Sequence, residues 1–188
     1  MSSYCAACGQ RQPSPVPQDC PACGRWAPLF DLDDPTFGAL WLAAVRVARE
    51  DVGINEFFFN PRVMSGPQPE AAPSWYDPTP PGVLALSMSR PNEEVCLSLV
   101  HELSHAVLHP VGSQPDVTIY QRHPLPEERL VHAASDVASR RHGIPDYLTR
   151  MASIGSIGCV PINELGATER PAAEHLAGEL VRLLAQYQ

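Results

Sequence analysis

The stretch His101-Glu102-Leu103-Ser104-His105 lies inside an apolar run from Val95 to Val107, and the rest of the chain can be arranged around it. Asn92 suits an N-cap, Glu93 and Glu94 suit a first turn, and Pro110 closes the segment, so the pattern predicts a helix. Positions i and i+4 share one helix face, which lets the imidazoles of His101 and His105 reach a single ion. Glu102 projects near the same ion, where a carboxylate can hold and deprotonate a water. Cys96, Leu97, Leu99, Val100, Leu103, Ala106, Val107 and Leu108 surround the motif and predict a buried helix. Burying two histidines and a glutamate without partners costs on the order of ~2–7 kcal/mol each, and a metal ion supplies the partner. A pair of satisfied core histidines beside a surface glutamate is the other use of the same residues.

The string is the H-E-x-x-H arrangement of zinc hydrolases. A catalytic zinc takes three protein ligands and keeps one open position, so a further ligand is expected downstream. The longer H-E-x-x-H-x-x-G-x-x-H form is not present, because Leu108, His109, Pro110 and Val111 follow the motif. The next predicted helix runs from Pro126 to His142, with Gly143 at its end, and carries Glu128, His132 and Asp136 on one face. Glu128 and His132 are the two candidate ligands, and a merely solvated polar face is the alternative.

Near the N-terminus stand Cys5-Ala-Ala-Cys8-Gly9 and Cys20-Pro-Ala-Cys23-Gly24. In each C-x-x-C-G turn two thiolates can grip one ion, and the glycine permits the positive-φ turn that aims backbone N–H groups at sulfur. Two such turns predict a closed structural zinc site with four cysteine ligands, in a zinc ribbon over residues 1–30. A segment so short has little apolar core, and the metal would supply most of its folding free energy. A redox pair would not need duplication, and disulfides do not suit the compartment expected below.

The 188 residues suffice for that module plus one larger domain, residues 31–188. The net charge is −8, all 13 basic residues are arginine, and no basic block exceeds Arg140-Arg141, so no electrostatic nucleic-acid footprint is visible. No apolar run approaches the ~18–20 residues that span a bilayer, and Met1-Ser-Ser-Tyr-Cys5 is not a secretory leader. The expectation is a cytoplasmic protein without a membrane partner, where paired cysteines bind metal more often than they form disulfides. Of the two remaining cysteines, Cys96 reads as a small core residue and Cys159 falls in a loop.

Asp34 as cap, Pro35 at the first position and Gly53 at the end delimit another helix, with Phe37, Leu40, Trp41, Ala44, Val45 and Ala48 as its buried stripe. Strands are expected at Ile54–Phe59, Val83–Ser89 and Val117–Gln121, and further helices at Pro145–Ser153 and Pro171–Gln188. Between the first two strands lies a long proline-rich loop, Val63–Gly82, in which Trp75 and Tyr76 either rim a cleft or anchor the loop.

His-Glu-Leu-Ser-His-Ala-Val-Leu-His, preceded by a strand and followed by an acid-led helix, resembles the active-site region of the ImmA/IrrE family of metallopeptidases, over roughly residues 36–142. That family's helix often reads H-E-L-G-H-x-x-L-H, and its later helix continues through E-A-N-x-F-A with the glutamate as third ligand. Matching the acid implies Glu128, although Arg129, Leu130 and His132 stand where the family has Ala, Asn and Phe. His132-Ala-Ala-Ser-Asp136 also resembles the thermolysin-type E-x-x-x-D, with histidine in the ligand place and Asp136 orienting a zinc histidine from behind. The resemblance implies an α+β, zincin-like minimal core, a small sheet packed on the H-E-x-x-H helix, carrying the ribbon as an addition. It also implies a zinc endopeptidase whose protein substrate is a regulator or repressor. In that mechanism one catalytic zinc activates water, Glu102 moves the proton, and Tyr120, His123 or Tyr147 meets the developing oxyanion. The ribbon would recruit a protein or nucleic-acid partner. The competing expectation is a non-catalytic regulatory protein that keeps the scaffold and works through its ribbon.

Overall fold

The structure is a computed structural model that describes residues 2–5, 20, 22, 29–60, 74–87, 90–113 and 125–187. Strands β1 (Ser2–Cys5) and β2 (Leu29–Leu32) pair antiparallel, with Ser2 opposite Leu32 and Cys5 opposite Leu29. Leu32 is buried in the main core, and β2 straddles the position, after residue 30, at which the sequence suggests a module boundary.

Helix α1 (Pro35–Arg46) begins as its sequence dictates. Asp34 Oδ1 accepts from the Thr36 N–H at 2.8 Å, and Pro35 takes the first position, where its missing N–H costs nothing. The helix continues into a π-helical turn, Val47–Asp51, and the chain reverses at Gly53 with φ +80°. Trp41, Leu40, Ala44, Val45 and Ala48 of this segment are fully buried, as their helical spacing requires.

Strands β3 (Glu56–Asn60), β4 (Trp75–Asp77) and β5 (Val83–Ser87) form one sheet in the order β3-β5-β4. β3 runs parallel to β5, Phe57 opposite Leu84, and β4 runs antiparallel to it, Tyr76 opposite Leu84. The central strand has Leu84, Ala85 and Leu86 all buried, which explains its continuous apolar run. β4 lies inside the stretch expected to be loop. Gly82 closes the β4–β5 turn with φ +76°, and a Cβ there would meet Val111 Cγ2 at 2.5 Å. Only glycine lets the hairpin lie against the residues that follow the motif helix.

Helix α2 (Asn92–Leu108) starts one residue earlier than expected, since Pro91 holds the N-cap position and Asn92 is already helical. Every residue from Glu94 to Ala106 is buried. α2 packs on β2, β4 and β5 and on α1, α3 (Leu125–Arg141), α4 (Tyr147–Ser153) and α5 (Arg170–Ala185). An almost wholly enclosed helix is what its apolar residues on all sides imply. The C-terminal helix α5 presents Leu176, Leu180, Leu183 and Leu184 inward and packs chiefly along α3. A short 3-10 turn, Ile162–Glu164, lies between α4 and α5, a few residues past Cys159 in the loop that the sequence leads one to expect there.

The described residues thus form an α+β fold of five α-helices and a small three-stranded sheet packed on α2, with the two-stranded β1–β2 pair meeting α1 and α2 through β2. Among them no helix is long and apolar enough to cross a membrane. The strand expected at Val117–Gln121 lies outside the described residues.

Candidate metal centre

α2 and α3 are fastened to each other directly beneath the motif. Ser104 Oγ donates to the Val100 carbonyl at 2.8 Å, which leaves its lone pair for the Ser135 hydroxyl of α3 at 2.7 Å. Both serines are wholly buried. Small residues on both helices, Ser104 and Ala106 of α2 and Ala134 and Ser135 of α3, are fully buried.

The i, i+4 spacing brings the Nε2 atoms of His101 and His105 to 3.3 Å from each other. From the first turn of α3, Glu128 Oε2 lies 3.3 Å from His101 Nε2, and Glu128 Oε1 lies 3.5 Å from His105 Nε2. Zinc bonds to nitrogen and carboxylate oxygen are about 2.0–2.2 Å, so the edges of a tetrahedron of such ligands measure about 3.3–3.6 Å. The three separations match those edges, and the two imidazoles plus one carboxylate are a donor set of a catalytic zinc. Among the described residues this is the one group of three side chains placed to share an ion. A loop covers the third of them: Gly158, at φ +75°, would put a Cβ 3.3 Å from Glu128 Cβ and 3.1 Å from the Arg129 nitrogen.

Each histidine has an outer partner on Nδ1. His105 Nδ1 lies 3.0 Å from Glu127 Oε1. His101 Nδ1 lies 3.5 Å from the Tyr147 hydroxyl, which in turn is 3.1 Å from His132 Nδ1. If each ligand histidine presents its Nε2 lone pair inward, both Nδ1 atoms carry the proton. Tyr147 then accepts from His101 and donates to His132, and every group in the series has a consistent direction.

The charges follow the geometry. Burial works against a charged His105, yet hydrogen bonds to Glu127 and Glu128 and the charges of Glu102 and Glu128 outweigh it and raise its pKa to about 9. For Glu128 burial acts upward, and its bonds to His101 and His105 hold the carboxyl well below the usual range. Burial and the like charge of His101 lower His132 to about 3, so it is neutral. Burial pushes the Tyr147 phenol well above 10. A half-buried carboxylate facing two buried imidazoles is prepared for a cation.

Of the residues singled out in the sequence, His101, His105 and Glu128 are thus brought together. His132 lies tilted against His101, ring centroids 4.3 Å apart, and its Nε2 is 4.0 Å from Glu128 Oε2. Its Nδ1 meets Tyr147, whereas Asp136 Oδ2 accepts from Arg140 Nε at 2.8 Å. Glu102 is buried beside this group, close enough for its charge to act on His105 and on Arg90. Tyr147 sits on the Nδ1 side of His101, between two imidazoles, and Tyr120 and His123 lie outside the described residues. Cys5 and Cys20 are both buried, and Cys8 and Cys23 lie outside the described residues. Tyr76 is an anchor, buried with its hydroxyl donating to the His109 carbonyl at 2.9 Å.

Sequence reasoning missed Glu127 and Arg90. The signal for Glu127 was its place next to a ligand candidate in an acid-led first turn, since a ligand imidazole needs an acceptor on its second nitrogen. Arg90, whose Nη1 donates to Ser98 Oγ at 2.9 Å, carried no pattern that points to Glu102. Comparison of the chain with protein-family models, curated proteins and solved structures finds no match in any of the three.

Proposed function

We propose that the chain is a zinc-dependent endopeptidase of the zincin kind, acting in the cytoplasm on a protein substrate such as a regulator or repressor. The observation that supports this is the tetrahedral-edge spacing of His101, His105 and Glu128 with Glu102 buried next to them. A zinc ion held by those three residues would polarise the scissile carbonyl and acidify a water. Glu102 takes the proton from that water and delivers it to the leaving amine, so one carboxylate serves as base and then acid. Glu127 keeps His105, and Tyr147 keeps His101, in the tautomer that turns Nε2 inward. The four N-terminal cysteines, Cys5, Cys8, Cys20 and Cys23, hold a second, structural zinc in this reading. The ribbon they form contacts a protein or nucleic-acid partner.

The test compares wild type with Glu102→Gln in a zinc-supplemented cell extract, reading new protein N-termini by mass spectrometry. Wild type should generate a set of termini that Glu102→Gln does not. Identical termini from both proteins would sink the proposal.

A further inference from the structure

We propose that Glu127 is a positioning residue for the metal centre, holding the His105 ring from its far side, and that His109 and Tyr76 hold Glu127 in turn. This rests on the metal site proposed above. The adjacent residues Glu127 and Glu128 diverge by about 100° around α3, and they grip one imidazole at both of its nitrogens. Glu128 Oε1 lies 3.5 Å from His105 Nε2, and Glu127 Oε1 lies 3.0 Å from His105 Nδ1. The ring between them is 1% exposed, so no water competes for either nitrogen. A carboxylate cannot donate, so Nδ1 must carry a proton, and the lone pair that a bound zinc would use is the one on Nε2, on the side of His101 and Glu128.

The same Glu127 oxygen is held a second time. His109 Nε2 lies 3.0 Å from Oε1 and donates to it. His109 is the first residue past α2, with φ −124° and ψ 81°, outside helical geometry. Its backbone N–H donates to the His105 carbonyl at 2.7 Å, and its own carbonyl accepts from the Tyr76 hydroxyl at 2.9 Å. Tyr76 is buried on β4. A continuous path therefore runs from the edge of the sheet through His109 and Glu127 to His105. The arrangement gives the H-x-x-x-H repeat at His105 and His109 two roles. His105 faces the ion, and His109 braces the carboxylate that orients it. A glutamate in a helix's first turn can also serve only the helix dipole, and that use would leave metal binding untouched.

The experiment titrates the full-length chain with zinc against a competing chelator, and with cobalt while the visible absorption is recorded. Wild type, Glu127→Ala, Glu127→Gln and His109→Ala are compared. A His101→Ala/His105→Ala double variant assigns the site, and circular dichroism verifies folding. Loss of an outer partner of a metal ligand typically weakens affinity ~10–100-fold. Glu127→Ala should fall in that range and alter the cobalt spectrum. Glu127→Gln keeps an oxygen acceptor without the charge, so it should lie between Ala and wild type. His109→Ala should show a smaller loss than Glu127→Ala. Wild-type affinity and spectrum in Glu127→Ala would overturn the inference while leaving the metal site standing. If that variant does not fold, a wild-type result in Glu127→Gln overturns it instead. Wild-type binding by His109→Ala would overturn the part assigned to His109 and Tyr76. A wild-type chain with no zinc that depends on His101 and His105 would overturn the metal site itself, and this inference with it.

Discussion

Stripped of metal, the protein should lose stability as pH rises from about 6.5 to about 9, and His105 is the cause. Its ordinary value is 6.5, and the flanking carboxylates lift it to about 9 in the folded chain. A folded-state pKa above the unfolded one means the folded state holds the proton more tightly. That stabilisation is therefore fully present below about pH 6.5 and is lost as pH climbs through about 9. The gap between 6.5 and about 9, at about 1.4 kcal/mol per tenfold change in proton affinity, is about 3–4 kcal/mol. The ring is 1% exposed, so solvent does not screen the effect away. Against a typical total of ~5–15 kcal/mol, that is a visible loss. With zinc bound the slope should reverse, because the ion needs the neutral imidazole and its binding strengthens as the proton leaves. The assay is urea unfolding at about pH 6, about pH 7.5 and about pH 9, in chelator and in excess zinc. His105→Gln serves as the reference, so the difference reports the proton held between this ring and its carboxylate neighbours. A difference between wild type and variant that stays flat, or that grows with pH in chelator, would refute the reasoning.

Glu102→Gln should cut peptide hydrolysis by ~10²–10⁴-fold, since it removes the general base, while zinc measured by atomic absorption stays bound. Glu128→Ala should strip the ion from the His101–His105 site, whereas His132→Ala should weaken binding by only ~10–100-fold; zinc competition titrations that give the opposite order would move the third ligand to His132. Ser135→Ala leaves the buried Ser104 hydroxyl without its donor and should cost about 1–3 kcal/mol in chemical denaturation, and because this contact sets α3 against α2, zinc affinity in competition titrations should fall with it.

The helices are legible because their signals are local. Asp34 and Pro35 announce the start of α1, and the observed cap bond to Thr36 is the interaction that this pair predicts. The apolar surround of His101 to His105 announces a buried helix, and α2 is buried from Glu94 to Ala106. The helix expected from Pro126 starts one residue earlier, at Leu125. β4 is not legible. Trp75–Asp77 is a three-residue strand amid prolines, and only its pairing with β5 makes it one. The choice between Glu128 and His132 is equally out of reach, because both lie on one helical face. What separates their positions is how α3 is set against α2, an outcome of Ser104, Ser135 and the neighbouring alanines rather than of any spacing along the chain. Tyr147 stands out for its chemistry, but its place behind His101 depends on α4 packing against α2 and α3, which no local pattern encodes.

The bond between Ser104 and Ser135 has a consequence for how the gene can change. The two helices that carry the candidate ligands meet through a contact inside their own interface, where both serines are wholly buried. A larger side chain at either serine has no room between the helices, so only residues of similar size should be tolerated there if His101, His105 and Glu128 are to keep the same three corners.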